Sequence, residues 1–435
     1  MSTNPTSFSK FYLLFSIILA VACTSSDPIS EMEEEEAIPT EESEPEETSQ
    51  NLHWVQQGEK IWDVSVPVFG GSLDLSSSGN RLAVGSSKWN YGCSVFCKGL
   101  VRSYEFDGSS WVQYNDDMVG NYNLTTDFIG EEIALAADGQ FLVVGSEPNP
   151  DSFNDYYTRV YENLNGEWVQ IGSDILNQVG RGNRIAINES GTILVVSMPK
   201  NSGNDLVKIF RKNGNAWDQI GEDMSPGEYS VKVSLDAEGS LLAIGNSTGA
   251  GLIQFYSIGQ DNWQPAGQIS GTLDTDRLGS SMELSGDGKT LLLGGRIPTT
   301  DCTNCTGLAQ PFHVVYENIG GVWQQKGQEI SWLSDQEYYA QYEGVAAISR
   351  DGSRIALAYQ KIRKSNVNEV EIFVHSFEFS ASENAWMPLA DVLTEEKPRT
   401  IWALDLNDPG DIIALGLNAS YREARIFKLQ EVVDQ

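Results

Sequence analysis

Along most of the chain, hydrophobic and polar positions recur in one fixed order. A segment in which apolar residues alternate with small or charged ones runs into a tight turn, and a short, almost wholly apolar run follows. The unit appears as LDLSSSGNRLAVG (73–85), IALAADGQFLVVG (133–145), IAINESGTILVVS (185–197) and VSLDAEGSLLAIG (233–245), then as MELSGDGKTLLLG (282–294), AAISRDGSRIALA (346–358) and LDLNDPGDIIALG (404–416). Alternation with a period of two predicts a half-buried first strand, and the continuous apolar run predicts a second strand buried on both faces. The glycine closing each turn (Gly79, Gly139, Gly191, Gly239, Gly288, Gly352, Gly410) fits a position of positive φ. A third strand follows as VRSYEF (101–106), TRVYE (158–162), VKIFR (207–211), LIQFYS (252–257), HVVYE (313–317), VEIFVHSF (370–377) and ARIFK (424–428). A fourth carries a tryptophan, at Trp54, Trp111, Trp168, Trp217, Trp263, Trp323 and Trp386, usually with Gln or Gly close behind, as in Trp168-Val-Gln-Ile-Gly172.

A repeat of about 40 to 60 residues marks a propeller or a solenoid, and the two ends of the chain choose between them. The repeats begin on a tryptophan strand that has no hairpin before it and end on a third strand that has no tryptophan strand after it. The first strand can therefore complete the last unit, closing a ring and hiding its sheet edges. The predicted fold is all-β, a single seven-bladed β-propeller of four-stranded blades over residues 51–435; an open β-solenoid is the structural alternative.

The succession S-x-D-G-x-x-L-A-V-G, then v-x-v-y, then W-x-Q-x-G resembles bacterial FG-GAP-like and WD40-like repeat proteins across residues 51–430, less closely in the last unit, where Asp408-Pro409-Gly410 forms the turn. That resemblance implies an interaction platform more often than a catalyst, although fold alone does not fix function. Calcium loops of the D-x-D-x-D-G kind found in integrin-type propellers are absent, so calcium binding is not carried over.

The N-terminus follows another logic. Residues 1–10 carry one basic residue, Lys10, and Phe11 to Ala22 form an apolar run of twelve. As a helix this would span only about 18 Å, well short of a bilayer core, and it reads as the hydrophobic region of a signal peptide over residues 1–22. Ala20-Val21-Ala22-Cys23 follows, with Ala20 where leucine is usual, and resembles the lipobox of bacterial lipoproteins. This implies cleavage before Cys23, its lipidation, and anchoring to a membrane by lipid alone. Residues 23–50 have no apolar periodicity, and Glu31 to Glu47 includes ten glutamates. Such a segment is expected to be a disordered acidic tether. Acidic residues soon after the lipidated cysteine resemble the export signals of Bacteroidetes-type surface lipoproteins, which implies a surface-exposed position on a bacterial outer membrane.

Charge narrows the partners. Against 28 Lys and Arg stand 61 Asp and Glu, a net charge of −33 that would repel a nucleic-acid backbone. The three histidines, His53, His313 and His375, are far apart in sequence and leave little material for zinc sites or nucleophilic triads. No cofactor motif is present. Apart from Cys23, the cysteines form two close pairs, Cys93/Cys97 and Cys302/Cys305. They are read as two local disulfides in an exported protein, with one Cys₄ zinc site as the alternative.

The long, irregular connections (61–69, 86–99, 116–129, 146–157, 269–278, 295–311, 331–343, 359–369) are expected on one face, where binding residues usually lie. Four tryptophans outside the repeat, Trp62, Trp89, Trp332 and Trp402, map to that face, with Tyr91, Tyr338, Tyr339 and Tyr342 in the same segments. They form a candidate aromatic platform for a glycan or peptide, or else they cover loop cores. Charged residues within the first strands are a second candidate group. Glu132, Arg184 and Lys232 share one repeat position, and Asp74, Glu283 and Asp405 share another two residues later, which would place them as rings around the channel. Mixed signs favour structural ion pairs over catalysis. Asp274-Thr-Asp276 is a weak candidate for a cation. The expected function is a non-enzymatic binding or scaffold lipoprotein that recognises a protein or carbohydrate. The alternatives are a carbohydrate-active enzyme and a periplasmic assembly factor.

Overall fold

The computed structural model describes residues 52–431, apart from 64–65, 67, 90–96, 121–125, 148–155, 178–183, 199–203, 228–230, 274–276, 299–308, 333–337, 364, 366–368, 397–399 and 419–421. The signal peptide, Cys23 and the acidic tether, together with Tyr91, Cys93, Cys302, Cys305, Asp274 and Asp276, lie outside the described residues.

Each hairpin expected from the sequence is present in register, for example Ser72↔Gly85 to Leu75↔Leu82 in the first and Arg184↔Ser197 to Ile187↔Leu194 in the third. The seven innermost strands are Ser72–Leu75, Thr126–Leu135, Arg184–Ile187, Val231–Leu235, Ser281–Leu284, Tyr338–Ile348 and Thr400–Leu406. Each touches the next, and the last touches the first, so the ring closes. The closure is made by hydrogen-bonded strand pairing. Leu52–Gln56 pairs antiparallel with Arg422–Glu431, Trp54 opposite Leu429, and supplies the fourth strand of blade 7. The fold is a seven-bladed β-propeller.

Blades pack face to face through their second and third strands, and each of the seven junctions has its own hydrophobic cluster. Between blades 3 and 4, for instance, Ile193, Val195, Val207 and Ile209 meet Leu242, Ile244 and Tyr256. That is why the second strands read as continuous apolar runs: every residue of Ile193–Met198 is buried.

The turns of the inner hairpins lock to one another. Gly79, Gly139, Gly191, Gly239, Gly288, Gly352 and Gly410 have φ between 66° and 70°. Space matters as well as φ, since a Cβ on Gly79 would come 2.6 Å from Ile412 Cδ1 of the neighbouring blade. Within the turns, the side chain at the first position accepts backbone N–H groups of its own hairpin, as Asn188 Oδ1 does from Thr192 and Ile193, and Asp236 Oδ1 from Ser240 and Leu241. One residue further on, main-chain bonds run round the ring at 2.8–3.3 Å: Ser77 N–H to Ala137 O, Ala137 to Glu189, Glu189 to Ala237, Ala237 to Gly286, then Asp287 to Arg350, Arg350 to Asp408 and Asp408 back to Ser77. The channel is therefore cinched at the turn face.

The outer signature is a second clasp. In Trp-x-Gln-x-Gly, the Gln amide donates to the carbonyl of the residue two places on, as Gln170 does to Gly172 and Gln219 to Gly221. The glycine, at φ 73° in Gly172 and 67° in Gly221, breaks or bulges the outer strand. The tryptophan of the next blade then lies against it: a Cβ on Gly172 would sit 3.2 Å from Trp217 Cδ1, and one on Gly327 2.8 Å from Trp386 Cδ1.

Two departures from the sequence reading concern the loop face. Several segments expected as loops are strand extensions, among them Arg81–Trp89, Cys97–Phe106, Thr126–Leu135 and Tyr338–Ile348, because paired strands continue past the blade body. Blades 1 and 2 also merge into one sheet through a parallel pairing of Cys97 and Lys98 with Thr126 and Asp127. Gly99 permits this approach, since any Cβ there would collide with the Ile129 backbone.

Candidate functional site

At the loop face the inner strands begin, and the channel opens into a well of about 420 Å³ whose lining includes Glu131, Glu132, Arg184, Lys232, Ser281 and Trp402. The well thus gathers members of both candidate groups, the aromatic and the charged. Trp402 is brought in by a β-bulge between Ile401 and Ala403, and Glu131 by another between Ile129 and Glu132. A bulge re-aims the side chain it carries.

The upper tier of charge is mixed. Arg184 Nη1 donates to Glu132 Oε2 at 2.6 Å, with side chains 39% and 27% exposed, so solvent still reaches this pair and discounts its strength. Lys232, one blade on, makes no ion pair or hydrogen bond among the described residues. Burial and the neighbouring Arg184 charge, opposed by Glu132, lower its pKa to about 8.

The lower tier is acidic and structural. Asp74 Oδ2 accepts Leu135 N–H at 2.6 Å, Asp405 Oδ2 accepts Leu75 N–H at 2.7 Å, and Ser234 Oγ accepts Leu284 N–H at 2.9 Å. Each side chain of this tier fastens the inner strand of the following blade. Burial first, then the Asp405 charge and a hydrogen bond that the protonated Asp74 carboxyl donates to Asp405, push the Asp74 carboxyl well above the usual range. Burial, then the Asp405 charge, does the same to Glu283, while burial raises Asp405 against the hydrogen bonds it accepts. Below this tier Arg350 bridges Glu189 and Asp408, the latter at 3.2 Å, across the turn ring. Residues of blades 3, 6 and 7 thus meet over the channel axis.

The other aromatic candidates are dispersed. Trp62 is 49% exposed on the outermost strand of blade 7, where it pairs with Glu423, and Lys60 Nζ lies 5.9 Å from its ring. Trp402 begins the innermost strand of the same blade, with two strands between them, a separation of roughly 14 Å at about 4.8 Å per strand. Trp332 is half-buried, stacked on Tyr359 at 4.6 Å and edge-on to the buried His313 at 5.8 Å, with His375 at 5.3 Å. Burial lowers the His313 pKa to about 3 and that of His375 to about 4. Trp89 pairs with Lys98, while Tyr338, Tyr339 and Tyr342 pair with Arg363, Ile362 and Tyr359 on the hairpin of blade 6. Cys97 opens the third strand of blade 1.

Sequence reasoning missed Glu131, Arg350 and the aromatic partners of Trp332. It also missed a larger cleft of about 740 Å³ at the rim between blades 1 and 2, lined by Gln113, Asp117, Tyr161 and Trp168. A similar cleft of about 400 Å³ at the next junction contains Asp174, Trp217 and Gln219. Their linings belong to the repeating Trp-Gln clasp, whereas the charges of the well change in sign from blade to blade. We therefore take the smaller well as the candidate site.

No family model matches the chain, and no curated protein matches it. Among solved structures it is similar to Kuenenia stuttgartiensis hydrazine synthase, at 12% identity and a TM-score of 0.52, over 87% of this chain and 99% of that one. At that identity the likeness is one of fold.

Proposed function

We propose that the protein is a non-enzymatic, lipid-anchored binding protein of a bacterial outer membrane that presents the open end of its propeller to a glycan or protein ligand. One observation carries this reading: the channel is cinched at the turn face and opens at the loop face into a well that joins Trp402 to charged side chains that differ from blade to blade. The lipobox-like Ala20-Val21-Ala22-Cys23 and the acidic segment behind it support attachment through Cys23 and a tether that holds the ring clear of the membrane.

A carbohydrate-active enzyme is the second reading, favoured by the two adjacent raised carboxylates Asp74 and Asp405. Their engagement with Leu135 and Leu75 N–H groups gives them a structural task and places this reading second.

The test is a screen of the membrane-bound protein against glycan and cell-surface protein panels, with the recovered ligand checked for cleavage. We expect saturable binding of an intact ligand, loss of that binding in Trp402→Ala at unchanged thermal stability, and release from the membrane fraction in Cys23→Ser. Cleaved ligand establishes the enzyme reading, and full binding by Trp402→Ala removes the well from recognition.

A further inference from the structure

The well has a chemical preference of its own. Arg184 spends Nη1 on Glu132, and this ion pair cancels one positive charge against one negative. Lys232 stands beside the pair without a carboxylate within salt-bridge distance among the described residues. Asp74, Glu283 and Asp405 lie one tier lower, fastened to neighbouring strands, and burial favours their neutral forms. A half-buried ammonium in the wall of a predominantly polar cavity of about 420 Å³ lacks one partner, an anion. Its size falls within the roughly 300–1,000 Å³ of small-molecule sites.

Two features narrow the class of anion. The chain carries a net charge of −33, and the well itself sets Arg184 and Lys232 against Glu131 and Glu132, so polyanions are opposed and the one ammonium outside a salt bridge suits at most a single negative charge. The lining is rich in hydroxyl and carboxylate groups such as Ser72, Ser281 and Glu131, with one aromatic side chain, Trp402, also in the wall. Hydroxyl-pairing groups beside an aromatic face suit a sugar ring better than an apolar peptide side chain.

We propose that the channel well is a carboxylate pocket for an acidic sugar, in which Lys232 and the unengaged nitrogens of Arg184 hold the carboxylate while the ring rests on Trp402. This rests on the loop-face reading above and specifies its ligand. Lys232 sees Arg184, Glu131 and Glu132 from the neighbouring inner strands and the three lower carboxylates beneath. Burial, and after it the repulsion from Arg184, makes its ammonium form costly until an anion arrives. Anion binding is therefore coupled to protonation of Lys232, and affinity falls as pH rises through about 8.

The experiment titrates the full chain, calorimetrically, with glucuronate, glucose, inorganic phosphate and a short peptide bearing a free C-terminal carboxylate. Charge-assisted hydrogen bonds contribute enough that about a tenfold or greater loss is expected on removing one. Glucuronate should bind saturably at about pH 6.5 and at least about tenfold more weakly at about pH 9.5, where ordinary lysines remain charged. Lys232→Met should weaken it by at least about tenfold, and glucose should bind no better to the parent than glucuronate does to that variant. Glu132→Gln, which frees Arg184, should tighten glucuronate. Equal affinity for glucose, preference for phosphate or the peptide, or indifference to both pH and Lys232→Met overturns the proposal. A panel ligand that needs Trp402 but ignores Lys232→Met overturns it while leaving the loop-face reading in place; no ligand dependent on Trp402 removes both. If Lys232→Met fails to fold, the pH dependence of the parent and the Glu132→Gln affinity decide.

Discussion

At the residue scale, the most informative side chain is Asp74. It fastens blade 1 to blade 2 through Leu135 N–H and sits beside Asp405, with which it titrates as a pair. Its native pKa lies above the unfolded value of about 3.9, so its protonated form stabilises the fold at low pH and that contribution is lost as pH rises through the native pKa. Asp74→Asn keeps an acceptor for Leu135 N–H and removes the charge. Its stability should match the parent near pH 4 and exceed it near pH 7.5 in urea unfolding. Asp74→Ala leaves that N–H without its acceptor and should cost about 1–3 kcal/mol near pH 4, partly offset at higher pH by the lost charge. A variant Asp74→Asn less stable than the parent near pH 7.5 would contradict the pKa direction. Sequence periodicity placed Asp74, Glu283 and Asp405 at one equivalent position, yet it could not show that each caps the next blade. That task depends on contacts between strands some 60 to 330 residues apart.

At the element scale, the two clasps account for the conserved-looking spacing within the repeat. Turn glycines and Trp-x-Gln-x-Gly were legible because they are local: a turn needs positive φ, and the Gln amide reaches a carbonyl two residues away. The aim of Trp402 was not legible, because it is set by a bulge that alternation does not encode. The same blindness merged four off-repeat tryptophans into one platform. Trp332 instead stacks on Tyr359 and meets His375 at a tilt, both of the next blade, and Trp62 is separated from Trp402 by two strands. Chemical denaturation should separate the two kinds of tryptophan. Trp386, 1% exposed and bonded through its indole N–H to Lys326 O, should cost about 3–5 kcal/mol as Trp386→Ala. Trp62→Ala, at a half-exposed edge, should stay within about 0.5 kcal/mol. Comparable losses would mean that Trp62 supports the blade.

At the scale of the whole molecule, function follows from asymmetry. One face is a ring of nearly identical turns tied by backbone bonds and crossed by Arg350; the other departs from the repeat and holds the well. Ring closure was readable from the unmatched strands at the two chain ends, but what closure brings together, Arg350 with Glu189 and Asp408, or Lys232 with Arg184 and Trp402, becomes visible only when blades far apart in sequence share an axis. The central claim is that ligands are recognised in that well. Hydrogen–deuterium exchange with a bound panel ligand tests it most directly. Protection is predicted in the starts of the inner strands, around 131–133, 184–187, 231–235 and 400–404, with the rim around Gln113 and Trp168 unchanged. Protection centred on that rim cleft, or on the turn face, would contradict the account.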